Sequence, residues 1–176
     1  MLVKKTIREL KIVLVGTANP YRGGGMATFN ERLALEFQQQ GHNIVIYNFT
    51  LQYPNFLFPG TSQYKETPSI DIVPTFRKVN SINPFNWLKI GWELYQMNPD
   101  LILFRYWISF MAPCFSVIAF IARWNKTSKI FSIIDNVIPH EEKFYDVFLR
   151  KLFISVNDIF LVMNSISYQE LIKLTS

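Results

Sequence analysis

Two segments of the sequence carry residues suited to chemistry, and the first is the glycine-rich run Asn19-Pro-Tyr-Arg-Gly-Gly-Gly25. It follows a short apolar run and precedes a helical pattern. Exposed backbone N–H groups and the positive end of the helix dipole bind anions at a helix start, and glycines let a phosphate approach closely. We therefore predict that Gly23, Gly24 and Gly25 face a phosphate. The alternative is that they only provide turn conformations unfavourable for other residues.

The second segment is Asp135-Asn-Val-Ile-Pro-His-Glu141, which also follows an apolar run and enters a helical pattern. Asp135 or His140 can accept a proton or a hydrogen bond from a sugar hydroxyl, and both are predicted catalytic residues. Asn136 and Glu141 are predicted substrate contacts, and Glu141 can also orient His140. The alternative is that this segment forms an ordinary helix cap and first turn.

A third candidate is Arg105, which ends another apolar run in Arg105-Tyr106-Trp107. One cation beside two aromatic faces suits a phosphate or a sugar ring, so we predict that Arg105 contacts the substrate. The alternative is packing beneath the helix that follows.

Apolar runs that alternate with helical patterns indicate how these residues are positioned. Strands are predicted at 11–16, 43–48, 70–75, 100–105, 129–134 and 158–163, and helices at 26–40, 83–97, 107–124, 140–155 and 167–174 with Ser165 as a cap. This order predicts a doubly wound, Rossmann-like three-layer α/β/α domain with a mostly parallel sheet of about six or seven strands. Ligands of such sheets bind outside the carboxyl ends of the strands, where all three candidate segments lie.

The composition limits the class of protein. A chain of 176 residues with 49% apolar and 18% charged side chains is predicted to fold as one domain. The net charge of +5 is scattered along the chain, which disfavours a nucleic-acid partner. The single cysteine, Cys114, and the lack of an export signal favour the cytoplasm. The longest apolar stretch, 107–122, contains Pro113 and is predicted to be a buried helix rather than a membrane span.

The usual nucleotide-binding motifs do not fit. The pattern G-x-G-x-x-G is absent, no Gly-Lys-Ser/Thr follows the glycines, and the second strand ends in Tyr47-Asn48-Phe49 without an acidic residue for a ribose. We therefore predict no bound cofactor and disfavour an NAD-dependent enzyme. A nucleotide-sugar epimerase-like enzyme is also disfavoured, because the dinucleotide fingerprint is missing and no Tyr-x-x-x-Lys pair lies on a helix.

Taken in order, these segments resemble the N-terminal domain of family 4 glycosyltransferases, the group 1 enzymes of the GT-B fold. The resemblance covers about Lys11 to Ser176 and rests on Gly23-Gly24-Gly25-Met26-Ala27, Gly41-His42-Asn43, Asn98-Pro99-Asp100, Asp135-Asn136 and Pro139-His140-Glu141. It implies that the chain is the N-terminal half of a GT-B fold.

The resemblance also implies a function: transfer of a sugar from a nucleotide-sugar, with retained anomeric configuration and without a metal ion, to a saccharide or lipid-linked acceptor in cell-surface polysaccharide or glycolipid synthesis. In this family the glycine loop approaches the donor, and a His that contacts the transferred sugar is common where this chain has Asp135. Residues 1–176 then form the acceptor-side domain, and the donor-binding C-terminal domain is absent, so this chain alone is expected to be inactive.

Two further expectations concern partners. Such enzymes often rest on the inner membrane surface, and the aromatic segment 49–58 with nearby basic residues is predicted to make that peripheral contact. The alternative function is a stand-alone α/β binding module that holds a phosphorylated ligand or a partner protein without chemistry.

Overall fold

The computed structural model describes residues 8–21, 24–54, 62–65, 71–135, 145–163 and 165–175. Within these ranges, strands and helices alternate as the sequence predicts. The strands are β1 (Lys11–Val15), β2 (Asn43–Leu51), β3 (Thr75–Asn80), β4 (Leu101–Tyr106), β5 (Lys129–Ile134) and β6 (Ile159–Val162). The helices are α1 (Gly24–Gln39), α2 (Pro84–Met97), α3 (Ala112–Ala122), α4 (Asp146–Ser155) and α5 (Ser165–Thr175).

The strands form one parallel sheet in the order β3-β2-β1-β4-β5-β6. The chain leaves β1 toward one edge and, after β3, crosses back to pair β4 with β1, so the strand order reverses between these two strands. This confirms the doubly wound, Rossmann-like three-layer prediction. The reversal point is where ligands of such folds bind, outside the carboxyl ends of the strands.

Both faces of the sheet are covered, which explains the continuous apolar runs of the central strands. Ile12, Leu14, Leu103 and Ile133 belong to the cluster on the face of α1. The alternate positions, such as Val13 and Phe104, belong to the cluster under α2, α3, α4 and α5. The sheet is therefore the middle layer between α1 on one side and α2, α3, α4 and α5 on the other.

The structure corrects several predicted boundaries. The third strand is Thr75–Asn80 and not 70–75, because β3 is an edge strand with half-polar residues whereas the apolar Val73 is packed against the α1 face outside any strand. The predicted long helix at 107–124 is the shorter α3 with a 3-10 turn at each end. Ser165 lies inside α5 instead of capping it.

The first residues of segment 49–58, which was predicted to contact a membrane, are not exposed as that prediction requires. Phe49 belongs to β2 and is fully buried, and Tyr53 is half-buried against Trp107 and Phe110, because the strand is longer than its apolar run indicated. Residues 55–61 lie outside the described ranges. No helix in the described part of the chain is long and apolar enough to cross a membrane.

A close helix contact gives a stability prediction. A Cβ built on Gly91 of α2 would lie 2.9 Å from the Ile121 Cβ and 3.1 Å from the Ile118 carbonyl oxygen of α3. Gly91→Val should therefore lower the free energy of unfolding by about 3 kcal/mol through overpacking, measured by urea denaturation. The control is Gly25→Val, since nothing lies within 4 Å of that Cβ; its expected change is below about 1 kcal/mol. Equal effects of both variants would contradict the predicted contact.

Candidate functional site

The segment after β1 is held at the carboxyl edge of the sheet by two buried asparagines. Asn30 of α1 donates its side-chain amide to the Thr17 carbonyl oxygen at 2.9 Å. Asn48 of β2 donates to the carbonyl oxygens of Ala18 at 3.0 Å and Asn19 at 2.7 Å. Both asparagines have no exposed surface. The chain between β1 and α1 is therefore fixed from two directions, a role that sequence reasoning did not assign to either residue.

The first residue of this segment, Gly16, allows α1 and β4 to come close together. A Cβ at this position would lie 3.0 Å from the Asn30 Nδ2 and 3.2 Å from the Arg105 Cβ. Both distances are shorter than ordinary van der Waals contacts, and both neighbours are themselves buried. Because Gly16 has no side chain, Asn30 and Arg105 can both approach this position, which lies where the strand order reverses.

Two predicted site residues, Arg105 and Asp135, form an ion pair. Arg105 Nε donates to Asp135 Oδ2 at 2.7 Å, and Arg105 Nη2 donates to Asp135 Oδ1. In the neighbouring strands β4 and β5, Arg105 is paired with Ile133, which belongs to the cluster on the α1 face. Asp135 follows Ile133 by two residues and therefore lies on the same face. The two parallel hydrogen bonds fix the plane of the carboxylate as well as its position.

The Arg105 side chain is only 5% exposed. Its guanidinium carbon lies 4.3 Å from the centre of the Phe29 ring on α1, a cation–π contact. Among the described residues, the remaining nitrogen, Nη1, is buried without a hydrogen-bond partner, and so is the Oδ1 of Asn30. An unpaired buried donor and acceptor are costly, so such atoms at the edge where ligands bind call for a functional explanation.

The ion pair limits the chemistry available to Asp135. Its side chain is 22% exposed, and each carboxylate oxygen keeps a lone pair that Arg105 does not use. The carboxylate can therefore accept a hydrogen bond from a ligand hydroxyl while Arg105 holds it in place. Arg105 itself is oriented toward Asp135 rather than toward open solvent, and the donors left for a substrate are its Nη1 group and the second N–H of Nη2.

The predicted glycine loop is partly helical. Gly24 is the first residue of α1 and Gly25 lies in its first turn, whereas Gly23 is outside the described residues. Gly25 is exposed and has no positive φ, unlike Gly41 at φ 88°. Neither the backbone conformation nor crowding by the described residues requires glycine at position 25. Among the described residues there is open space beside the first turn of α1 where a side chain at position 25 would lie.

The other predicted residues of the site, Asn136, His140 and Glu141, lie outside the described residues, and their roles stay predictions. Among the residues described, no three His, Cys, Asp or Glu side chains gather into a group that could hold a metal ion. Whether a metal takes part also stays a prediction.

A cluster of two tyrosines and one arginine lies beside the segment that connects β1 to α1. The Tyr21 and Tyr64 rings lie 4.9 Å apart, and the Arg77 guanidinium lies 5.6 Å from the first ring and 5.5 Å from the second. Burial and the neighbouring Tyr64 raise the pKa of Tyr21 to about 12, against the opposing effect of Arg77. Tyr21 therefore stays neutral at physiological pH, and the cluster joins residues 62–65 to the segment before α1.

Comparison with known proteins gives a likeness in fold only. No family model matches the chain, and no curated protein matches its sequence. Among solved structures, the chain is similar to UDP-N-acetylglucosamine 2-epimerase from Rickettsia bellii, with a TM-score of 0.55 and 15% identity over 94% of this chain. The chain spans 42% of the length of that epimerase.

The chain therefore shares a GT-B-like, Rossmann-type fold with part of a sugar-nucleotide-processing enzyme. A second structure, TubZ of the Clostridium botulinum phage c-st, overlaps with a TM-score of 0.44 and 11% identity, and we base no inference on it. The sequence motifs disfavoured a nucleotide-sugar epimerase-like enzyme, and at 15% identity the likeness to this epimerase shows the fold alone and does not test that prediction.

Proposed function

We propose that this chain is the N-terminal, acceptor-side domain of a retaining glycosyltransferase that transfers a sugar from a nucleotide-sugar to a saccharide or lipid-linked acceptor. In this proposal a C-terminal domain binds most of the donor, and the reaction belongs to cell-surface polysaccharide or glycolipid synthesis on the cytoplasmic side of the membrane. The GT-B-like fold is compatible with such an enzyme. The observation that carries the proposal is that the open space at Gly25, at the start of α1, and the carboxylate of Asp135, held by Arg105, lie at the same edge of the sheet.

The start of α1 is the proposed phosphate site. Gly25 has open space where a side chain would be, and α1 begins directly after the loop that follows β1. First-turn N–H groups and the helix dipole favour a phosphate there. Gly23 and Gly24 would let the diphosphate of the donor approach the same turn.

The fixed carboxylate is the proposed sugar contact. Asp135 would accept a hydrogen bond from a sugar hydroxyl through a lone pair that faces away from Arg105. Because Arg105 orients the carboxylate in advance, little ordering remains when the sugar binds. Asn136 and His140 would complete this contact, with His140 able to transfer a proton, and Glu141 would orient His140. The proposed reaction needs neither a metal nor a bound cofactor.

The test uses protein from the complete reading frame that contains these 176 residues. Calorimetric titration with UDP- and GDP-sugars should reveal one donor that binds, and NMR of the product should show a retained anomeric configuration. Gly25→Val should weaken donor binding by roughly tenfold to a hundredfold, because the Val side chain blocks charge-assisted bonds to phosphate. The matched control is Gln39→Val, at the opposite end of α1, which should leave donor affinity unchanged.

The alternative is the stand-alone binding module. It would replace the proposal if the reading frame ended at Ser176 and no nucleotide-sugar bound. The transferase proposal would also fail if a nucleotide-sugar bound but was epimerised or hydrolysed without transfer to any acceptor.

A further inference from the structure

The two edges of the sheet differ in how they are protected. In the described part of the chain, β3 forms one edge and β6 forms the other. An edge strand has unpaired N–H and C=O groups on its outer side, and charged side chains and irregular pairing keep other strands away from it. β3 carries Arg77 and Lys78 and pairs irregularly with β2. It therefore has the features of an edge that stays unpaired.

β6 has neither of these features. Its residues Ile159-Phe-Leu-Val162 and the following Met163 are all apolar, and its pairing with β5 is regular along the whole strand. Ile159 is 48% exposed, Leu161 is 44% exposed and Met163 is 50% exposed. An exposed, apolar and uncharged edge is a template on which a further strand adds.

The charges closest to β6 in the sequence do not protect its outer side. Asp158, just before the strand, accepts the Ile130 N–H at 2.8 Å through its Oδ2, and its Oδ1 is 3.4 Å from the Arg123 Nη2. It is thus held against its own sheet and paired with a basic residue. After Asp158, the next charged residue of the sequence is Glu170. A strand that approaches residues 159–163 therefore meets no charge on the strand itself.

We propose that β6 pairs in antiparallel direction with β6 of a second copy of this chain, so that the two sheets join into one. Dimers with a two-fold axis are the commonest oligomers, and such an axis brings each residue near its own counterpart. A charged edge therefore repels itself, whereas an uncharged edge does not. This condition is met by β6 and not by β3. The inference does not rest on sugar transfer.

The two faces of the sheet determine which residues of the two β6 strands lie opposite each other. Ile159 and Leu161 point to the α1 face, because Leu161 is paired with Ile133 of the cluster on that face. Phe160 and Val162 pack against the cluster on the other face. Residues opposite each other in an antiparallel pair point to the same face. The layers of the two copies therefore continue each other only when residues from the same face pair.

One register satisfies this condition and uses every apolar residue of the edge. It places Leu161 opposite Leu161 of the second copy and Ile159 opposite Met163 of the second copy. Asp158 then lies outside the five paired residues. The strands of the two copies run in opposite directions, so the carboxyl edges with their candidate sites lie at opposite ends of the joined sheet.

Apolar surface next to β6 would support the strand pairing. A pair of strands alone is marginally stable, so contacts between neighbouring helices must contribute. Leu171 of α5 lines a small cavity with Ile134 of β5, which places α5 over this end of the sheet. On the outer surface of the same helix, Ile166 is 70% exposed and Tyr168 is 52% exposed. The second copy would cover apolar side chains of α5 as well as those of β6.

The experiment is sedimentation equilibrium of the protein from the complete reading frame, which we expect to be a dimer. Leu161→Lys places two like charges opposite each other across the axis and should weaken association at least a hundredfold, and Leu161→Asp should do the same. An equimolar mixture of the Leu161→Lys and Leu161→Asp proteins should associate again, because opposite charges then face each other. This recovery also shows that both proteins are folded.

The matched control is Phe76→Lys on the other edge strand, β3, where the side chain is 47% exposed. It adds the same charge to the same protein and should leave the dimer unchanged. Hydrogen exchange locates the contact: the amides of residues 159–163 should exchange slowly in the dimer and at least tenfold faster in the Leu161→Lys monomer.

The proposal is overturned by a monomeric unchanged protein, by a dimer that Leu161→Lys retains, or by a mixture of the two charged variants that fails to associate. A monomer in which the amides of residues 159–163 are nevertheless protected would show that another segment of the same polypeptide pairs with β6, and this result also overturns the proposal.

Discussion

Replacing Phe115 by alanine should lower the free energy of unfolding by about 3–5 kcal/mol, the largest effect that we expect from a single substitution in this chain. Phe115 of α3 is fully buried, and its ring lies 5.0 Å from the Phe104 ring and about 6 Å from the rings of Phe49, Trp107 and Phe153. These neighbours come from strands β2 and β4, helix α4 and the turn after β4. They cannot all move in to fill the space, so a cavity remains.

Urea denaturation followed by circular dichroism measures this effect, with the midpoint and the slope reported separately. The matched control is Phe148→Ala on α4, where the same side chain is 68% exposed. Its expected change is within about 0.5 kcal/mol. A loss below about 1 kcal/mol for Phe115→Ala would mean that the aromatic cluster is not a close-packed core.

The central strands were predictable because burial on both faces leaves a signal in each strand alone. β5 was predicted at its observed bounds, Lys129–Ile134, from an uninterrupted apolar run. β3 was missed because an edge strand is partly exposed and tolerates Arg77 and Lys78 among its residues. Its position depends on pairing with β2, which includes two irregularities in register that no local pattern reveals.

The positions of the candidate site residues at strand ends could be predicted from the sequence, but the contacts between them could not. The sequence located Arg105 and Asp135 at the ends of two strands, and both lie at the carboxyl edge as expected. Their ion pair follows from the register of β4 against β5, which depends on the whole sheet. Asn30 and Asn48 could have been suspected, because each is a polar residue within an otherwise apolar pattern.

The ion pair permits a prediction that separates folding from function. Asp135→Ala should lower the free energy of unfolding by about 3 kcal/mol, since it leaves the Arg105 guanidinium buried without its partner. Adding Arg105→Met should recover most of that loss, because the methionine fills similar space against Phe29 without a charge. Urea denaturation of the two single variants and the double variant gives the coupling energy directly.

A second Arg–Asp pair, which is exposed, supplies the control. The double variant then shows whether the buried charges are needed for folding or for function. Arg8 and Asp100 are 2.8 Å apart, but the Arg8 side chain is 80% exposed, so Arg8→Met should change stability by less than about 1 kcal/mol. If the Arg105→Met, Asp135→Ala protein were as unstable as Asp135→Ala alone, the pair would not be buried as described. If it folds as stably as the unchanged chain, the charges at the carboxyl edge are not needed for the fold, and any loss of nucleotide-sugar or acceptor binding in that stable protein measures their contribution to function.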